Sequence, residues 1–192
     1  MNKYPAIFLD RDGTINEEMG YINHIERFKI FPFVAESIKS LKENGFKVVI
    51  VTNQSGIARG YFTEKLLNEV HQKLIEYLEK HKTKLDGIYY CPHHPTEGEG
   101  IYKQKCNCRK PKTGLIERAV KEHNIDLSSS YMIGDRFKDM IFAHNLNIKS
   151  GLVLTGYGKG EYEYDSKNWM FMPDIIAENL KEISIKIINS LQ

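Results

Sequence analysis

Two carboxylates two residues apart, Asp10 and Asp12, close the apolar run Ile7-Phe8-Leu9 and are followed at once by Gly13 and Thr14. A strand that ends at Asp10 and relaxes at Gly13 leaves both side chains on one side of the chain, where they can face one phosphate. One can attack phosphorus while the other supplies and takes back a proton. A carboxylate facing a phosphate dianion is repelled unless a hard cation screens the charge, so the pair implies Mg²⁺ held by one or two carboxylates and by phosphate oxygens. Asp-x-Asp alone is a weak signal, because acidic pairs in turns commonly act only as solvated or capping groups. A calcium loop is excluded by register: counted from Asp10, Gly13 falls fourth where the sixth place is required, and Tyr21 stands where the closing glutamate belongs.

Three more stretches carry matching chemistry. Phe46 to Val51 is a nearly continuous β-branched run that reads as a strand buried on both faces, and it ends in Thr52, Asn53, Gln54 and Ser55. Ligands of open α/β sheets collect at such carboxyl ends, where Thr52 can donate to a phosphate oxygen and Asn53 and the next backbone groups can position it. Arg109-Lys110-Pro111 precedes a helix that begins near Thr113 or Gly114, and Met132-Ile133-Gly134-Asp135-Arg136 is a second apolar strand opening into charged groups, with Asp139 four residues beyond Asp135. A lysine there can neutralise charge on a transferring phosphoryl group, and Asp135 can complete a metal shell. Singly, Lys110 also reads as a solvated residue and Asp135 as a helix cap, the commoner fate of an aspartate in a strand-to-helix loop. The ordered set Asp10, Asp12, Thr52, Lys110, Asp135, each at or near a strand end, is what points to one site.

With those four motifs in order, the chain resembles the haloacid dehalogenase superfamily of phosphatases. The resemblance implies Asp10 as nucleophile, Asp12 as general acid and base, Thr52 and Lys110 as stabilisers of the phosphoryl group, and Mg²⁺ held by Asp10, Asp135 and the Asp12 carbonyl. Asp139 is expected behind the metal ligands rather than on the metal.

All three cysteines lie in one irregular stretch, in the pattern Cys91-x-His93, twelve residues, Cys106-x-Cys108. Three cysteines cannot all pair as disulfides, whereas three thiolates and one imidazole complete a tetrahedral shell, so a structural Zn²⁺ is expected on Cys91, His93, Cys106 and Cys108. His94 competes with His93. His93 is preferred because Cys-x-His mirrors Cys-x-Cys and lets each short segment grip the metal from one turn. Such a zinc loop narrows the resemblance to the branch that holds heptose bisphosphate phosphatases and the histidinol-phosphate phosphatase domain, and the long interval from His93 to Cys106 is similar to the heptose group. Gly20-Tyr21-Ile22, Thr52 to Gly60, Cys91 to Pro95 and Cys106 to Pro111 match as well, while Asn107 and Arg136 depart conservatively from that pattern. The branch implies a small phosphorylated sugar as substrate. Gly20, Tyr21, Asn53, Gln54, Ser55, Arg109 and Arg136 are then candidate substrate contacts, the two arginines suiting a phosphate that is retained. Because Cys108 lies two residues from Lys110, the zinc would anchor the loop that presents this lysine.

These groups need a frame. Strand and helix alternate: a helix near Phe33 to Asn44 stopped by Gly45, and a helix opening at Thr63 with Leu66, Leu67, Val70, Leu74, Ile75 and Leu78 at core spacing. A strand at Gly87 to Tyr90, a helix from about Gly114 to His123, a strand ending at Ile133 and another helix come next. A strand at Ser150 to Leu154, one near Trp169 to Met172 and a C-terminal helix complete the reading. Repeated βα units predict an α/β fold, a mostly parallel sheet with helices on both faces, no large cap domain and the zinc loop 91–108 as the one insertion. With 192 residues, 41% hydrophobic, one domain spanning 1–192 is expected. A net charge of +2 gives too weak a field for nucleic acid, and no apolar run approaches a membrane span. Met1 to Pro5 leads straight into the first strand, so the reading is a cytoplasmic, monomeric enzyme without a signal peptide. A phospho-receiver domain also combines acidic groups, Thr and Lys on an α/β sheet, but its phosphoacceptor would follow the third strand, which here ends in Tyr90-Cys91.

Overall fold

The computed structural model describes residues 3–191; Met1 and Asn2, part of the lead-in to the first strand, lie outside that range, as does Gln192. Six strands, β1 (Ala6–Leu9), β2 (Lys47–Asn53), β3 (Gly87–Cys91), β4 (Tyr131–Gly134), β5 (Lys149–Val153) and β6 (Ile175–Ala177), form one sheet in the order β3-β2-β1-β4-β5-β6. Every pairing is parallel. The chain winds outward from β1 in both directions, so the crevice beyond the carboxyl ends of β1 and its neighbours is the topological switch point.

Both faces of the sheet are covered, which explains why β2 is apolar without alternation. Helices α1 (Val34–Glu43), α2 (Glu64–Lys80) and α6 (Leu180–Asn189) pack on one face with Ile7 and Leu9, and α3 (Gly114–His123) and α4 (Phe137–Asn145) pack on the other with Ala6 and Phe8. Each fully buried aliphatic side chain contributes about 1.5–3 kcal/mol relative to exposure. Thr63 caps α2 by accepting the Leu66 N–H. A short α5 (Gly158–Gly160) runs on into a π-helical segment, Glu161–Asp165. Between β1 and β2 the chain holds only a 3₁₀ turn, Ile25–Arg27, and α1, and between β3 and α3 it holds the cysteine loop with one 3₁₀ turn, Gly100–Tyr102. Neither is a cap domain.

Two sequence expectations need correction. Trp169 to Met172 is not a strand: Trp169 stacks on Phe137 of α4 at 4.4 Å between ring centroids, and Phe171 packs against Phe137 and His144. Aromatic side chains favour strands, but here they cover a helix, and the β-branched pair Ile175-Ile176 further on supplies the edge strand. On α2, Ile75 is 36% exposed, and the inward place one turn earlier is taken by His71, which is buried.

Candidate active site and metal centre

The loops after β1, β2 and β4 and the segment before α3 converge on a cleft of about 190 Å³ that includes Asp10, Asp12, Thr52, Lys110 and Asp135. Gly13 makes the convergence geometrically feasible. Its φ is +78°, and a β-carbon there would lie 2.1 Å from Asp135 Oδ2, so only glycine lets the β1 loop pass this close to the β4 end. Larger grooves on the surface, such as that between Lys39 and Lys84, lack any such constellation.

Asp10, Asp135 and Asp139 offer carboxylate oxygens within 4.8 Å of one another. Asp135 Oδ2 accepts the Tyr157 N–H at 2.9 Å, while Asp135 Oδ1 is buried without a donor. Burial, reinforced by Asp10 and Asp139, pushes the Asp135 carboxyl up to about 8. Burial also raises Asp139, against the pull of Lys110. A buried acidic cluster with an orphaned oxygen is the donor set a divalent cation needs, since hard cations take carboxylate oxygens and relieve their repulsion. The residues present therefore fit a divalent metal. Lys110 Nζ lies 3.0 Å from Asp10 Oδ1 and 2.7 Å from Asp139 Oδ1; burial opposes its charge, and the two carboxylates more than restore it, raising the lysine above its ordinary range. Asp139, expected behind the metal ligands, stands within this cluster and grips Lys110.

Asp12 lines the same cleft, with its carboxylate outside that acidic cluster. Its oxygens accept from Arg11, from Asn16 Nδ2 at 3.0 Å and from Gln54 Nε2 at 2.9 Å. Burial raises this carboxyl, but the Arg11 charge and these hydrogen bonds outweigh it and hold the group below its usual value. Gln54 also donates to Thr52 Oγ1 at 3.0 Å, joining the β2 end to Asp12.

The sequence-expected substrate contacts divide. Gly20, Asn53, Ser55, Arg109 and Arg136 line the cleft, and Tyr21 and Gln54 line a smaller recess beside it, the Tyr21 ring 4.6 Å from that of Tyr61. The Asn53 side chain is engaged with protein: its Nδ2 donates to the Lys110 carbonyl at 3.1 Å and its Oδ1 accepts the Lys110 N–H at 3.0 Å, a two-point clamp on the lysine backbone. Arg109 donates to the His93 carbonyl, and Arg136 pairs with Glu161 at 2.9 Å while lying over the Tyr157 ring. Arg59 is partly buried and pairs with Glu97, and Lys138 is exposed at the cleft rim. Sequence reasoning missed Glu18, a half-buried carboxylate in the cleft wall, and Arg11 with its neighbour His71. For Arg11 the sequence carried no clear signal, since a cation between two acids is ordinarily solvated and only the structure shows it buried.

Cys91, His93, Cys106 and Cys108 form one compact cluster. Sulfur separations are 3.3 Å for Cys91–Cys108, 3.3 Å for Cys106–Cys108 and 3.6 Å for Cys91–Cys106, and His93 Nδ1 lies 3.3 and 3.7 Å from the Cys108 and Cys91 sulfurs. A tetrahedron built on Zn–S bonds of ~2.3 Å has edges of roughly 3.7 Å, so the four atoms are spaced to share a metal. Burial pushes the Cys91 thiol up, a cost that a bound cation would reverse. His94 points the other way, accepting from the Glu97 backbone and contacting Arg59. The loop is docked on the β2 loop as well: a β-carbon at Gly98 would strike the Ala58 carbonyl, 1.8 Å away, and Arg59 bridges to Glu97.

A parallel sheet with a carboxylate cluster and a lysine at its switch point defines a hydrolase of the haloacid dehalogenase type, and a family model described as HAD-hyrolase-like matches residues 107–183. D-glycero-beta-D-manno-heptose-1,7-bisphosphate 7-phosphatase of Haemophilus influenzae is 44% identical over 182 residues, 92% of this chain and 97% of that protein. Its namesake from Haemophilus ducreyi is 48% identical over 157 residues, 79% of this chain and 84% of that one. The crystal structure of D,D-heptose 1,7-bisphosphate phosphatase from B. bronchiseptica, complexed with magnesium and phosphate, superposes with a TM-score of 0.84 at 28% identity, covering 97% of this chain and 99% of that chain. The chain belongs to the haloacid dehalogenase-like phosphatase family, in the branch these heptose bisphosphate phosphatases make up.

Proposed function

We propose that this phosphatase removes the 7-phosphate of D-glycero-D-manno-heptose 1,7-bisphosphate, the β anomer being the one for which the relatives are named. The observation that carries the reading is the convergence of Asp10, Asp12, Lys110 and Asp135 in a cleft that also presents two arginines, Arg109 and Arg136. One phosphate would react at the aspartates while the arginines hold the other. In the first half, an Asp10 oxygen bonds to phosphorus, the bond from phosphorus to the sugar oxygen breaks, and that oxygen takes the proton of Asp12. In the second half, Asp12 takes a proton from water, the water oxygen bonds to phosphorus, and the acyl phosphate bond to Asp10 breaks, freeing inorganic phosphate and restoring the carboxylate. Thr52 and Lys110 hold the phosphoryl oxygens through both halves. Asp10 and Asp135 with the Asp12 carbonyl would hold Mg²⁺, which supplies charge neutralisation to the phosphoryl group. Zn²⁺ on the four-residue cluster would fix the loop that ends in Arg109 and Lys110. The whole chain, 1–192, acts as one phosphatase domain, a monomer in the cytoplasm.

Parallel kinetics with both anomers of the heptose bisphosphate and with histidinol phosphate test the substrate assignment. The expectation is a kcat/KM for the β bisphosphate at least tenfold above that for histidinol phosphate, a margin of about 1.4 kcal/mol in transition-state binding. A preference for histidinol phosphate would overturn it.

A further inference from the structure

Arg11 stands between the two aspartates and heads the wholly buried side chains by volume. Its Nη2 lies 2.7 Å from Asp12 Oδ2 and 2.8 Å from Oδ1, and its Nε lies 3.2 Å from Oδ1. Nη2 also lies 3.2 Å from Gln54 Oε1, Nη1 contacts His71 Nε2 at 3.4 Å, and the guanidinium faces the Phe28 ring. Burial, aided by the Arg11 charge, keeps His71 neutral with a pKa of about 3, so its ring nitrogen can accept. Desolvating a guanidinium is costly, and an apolar side chain of similar volume usually serves a core at least as well. The group is therefore retained for what it holds. It holds Asp12 on both oxygens, where Asn16 and Gln54 also donate, while the Asp12 side chain stays 21% exposed in the cleft wall.

We propose that Arg11, braced from α2 by His71, is the positioning residue that aims the Asp12 carboxylate at water in the second half of the reaction. The inference rests on the reading of Asp12 as acid and base given above. Aiming matters most in that half. A base must hold one oxygen in line with a small, otherwise free water, and a misplacement of an ångström there costs ~10²-fold. Attack by Asp10 on an ester whose leaving group departs without a proton makes no such demand on Asp12.

A 4-nitrophenyl ester separates the halves, because nitrophenolate leaves unprotonated. Arg11→Met should lower steady-state turnover of 4-nitrophenyl phosphate ~10- to 10²-fold while keeping a burst of nitrophenolate close to one per enzyme. Acid-quenched protein should carry one phosphate on Asp10 by intact mass. Arg11→Lys should regain part of the turnover, and His71→Leu should show the same burst with a smaller loss. Should Arg11→Met fail to fold by circular dichroism, the lysine and leucine variants decide. Folded variants that are slowed without a burst, or that turn over like wild type, would overturn the proposal. Asp12→Asn is the reference: if that variant shows neither loss nor burst, the acid–base reading itself fails, whatever Arg11 does.

Discussion

Replacing Lys110 by methionine separates what this lysine does for the phosphoryl group from what it does for the fold. The ammonium is buried 3.0 Å from Asp10 and 2.7 Å from Asp139, with Asp135 completing the acidic cluster. Three ionised carboxylates and one ammonium carry a net charge of −2, which one divalent cation balances; methionine keeps the unbranched stem and leaves −3. Breaking a buried ion pair on one side costs about 3–5 kcal/mol. Asp139 recovers part of this by taking up a proton, since burial already pushes its carboxyl up. Loss of one fixed donor to a developing phosphoryl charge costs about 10²–10³ in kcat. The double variant Lys110→Met/Asp139→Asn removes the orphaned charge, so the urea midpoint should return most of the way to wild type. Turnover should stay at the Lys110→Met level. Urea unfolding and kcat at saturating Mg²⁺, measured on the wild type, both single variants and the double variant, give the full comparison. Activity that returns together with stability would make Lys110 a structural counter-ion and refute its place in catalysis.

Zinc should copurify at one per chain without chelators, and elemental analysis finding none would end the tetrad reading. Cys108→Ser should loosen the loop and misplace Lys110, costing ~10²-fold in kcat, and should combine with Lys110→Ala less than additively; full additivity would mean the zinc supports the fold without positioning the lysine. Burial and the neighbouring carboxylates push Asp135 up to about 8, so at lower pH Mg²⁺ binding is expected to displace a proton from it. Apparent Mg²⁺ affinity by calorimetry should therefore rise about tenfold per pH unit toward 8 and then level, and a flat profile from pH 6 to 9 would contradict this. Burial raises Asp86, but Lys42, the Val48 N–H and Lys47 bring it below its ordinary value. Its contribution is thus present above the ordinary carboxylate range and lost as pH falls through the lowered value, so Asp86→Asn should cost stability at pH 7 and little near pH 2, read from thermal midpoints.

Candidate chemistry at strand ends was legible because Asp10, Thr52 and Asp135 each follow an apolar run that a parallel sheet must bury. The cluster of three cysteines and one histidine was legible because its spacing fits a metal shell. What pairing does inside the site was not. Nothing in Thr52-Asn53-Gln54-Ser55 says that Asn53 engages the Lys110 backbone while Gln54 turns to Asp12, since those partners lie 57 and 42 residues away and meet only when β1, β2 and the cysteine loop are assembled. Arg11 was passed over because a cation beside two acids reads as a solvated neighbour until its burial is known. The aromatic run at Trp169 to Met172 misled for a related reason: strand preference is a preference for a half-buried surface, and the flank of α4 is one.

The most direct test of the account is ³¹P NMR of D-glycero-β-D-manno-heptose 1,7-bisphosphate with Mg²⁺ and the intact enzyme, followed in parallel with Asp10→Asn. The 7-phosphate resonance should give way to inorganic phosphate while the anomeric 1-phosphate persists, and the Asp10→Asn spectrum should stay unchanged. Release of the 1-phosphate, or turnover that survives loss of Asp10, would contradict the assignment of this cleft.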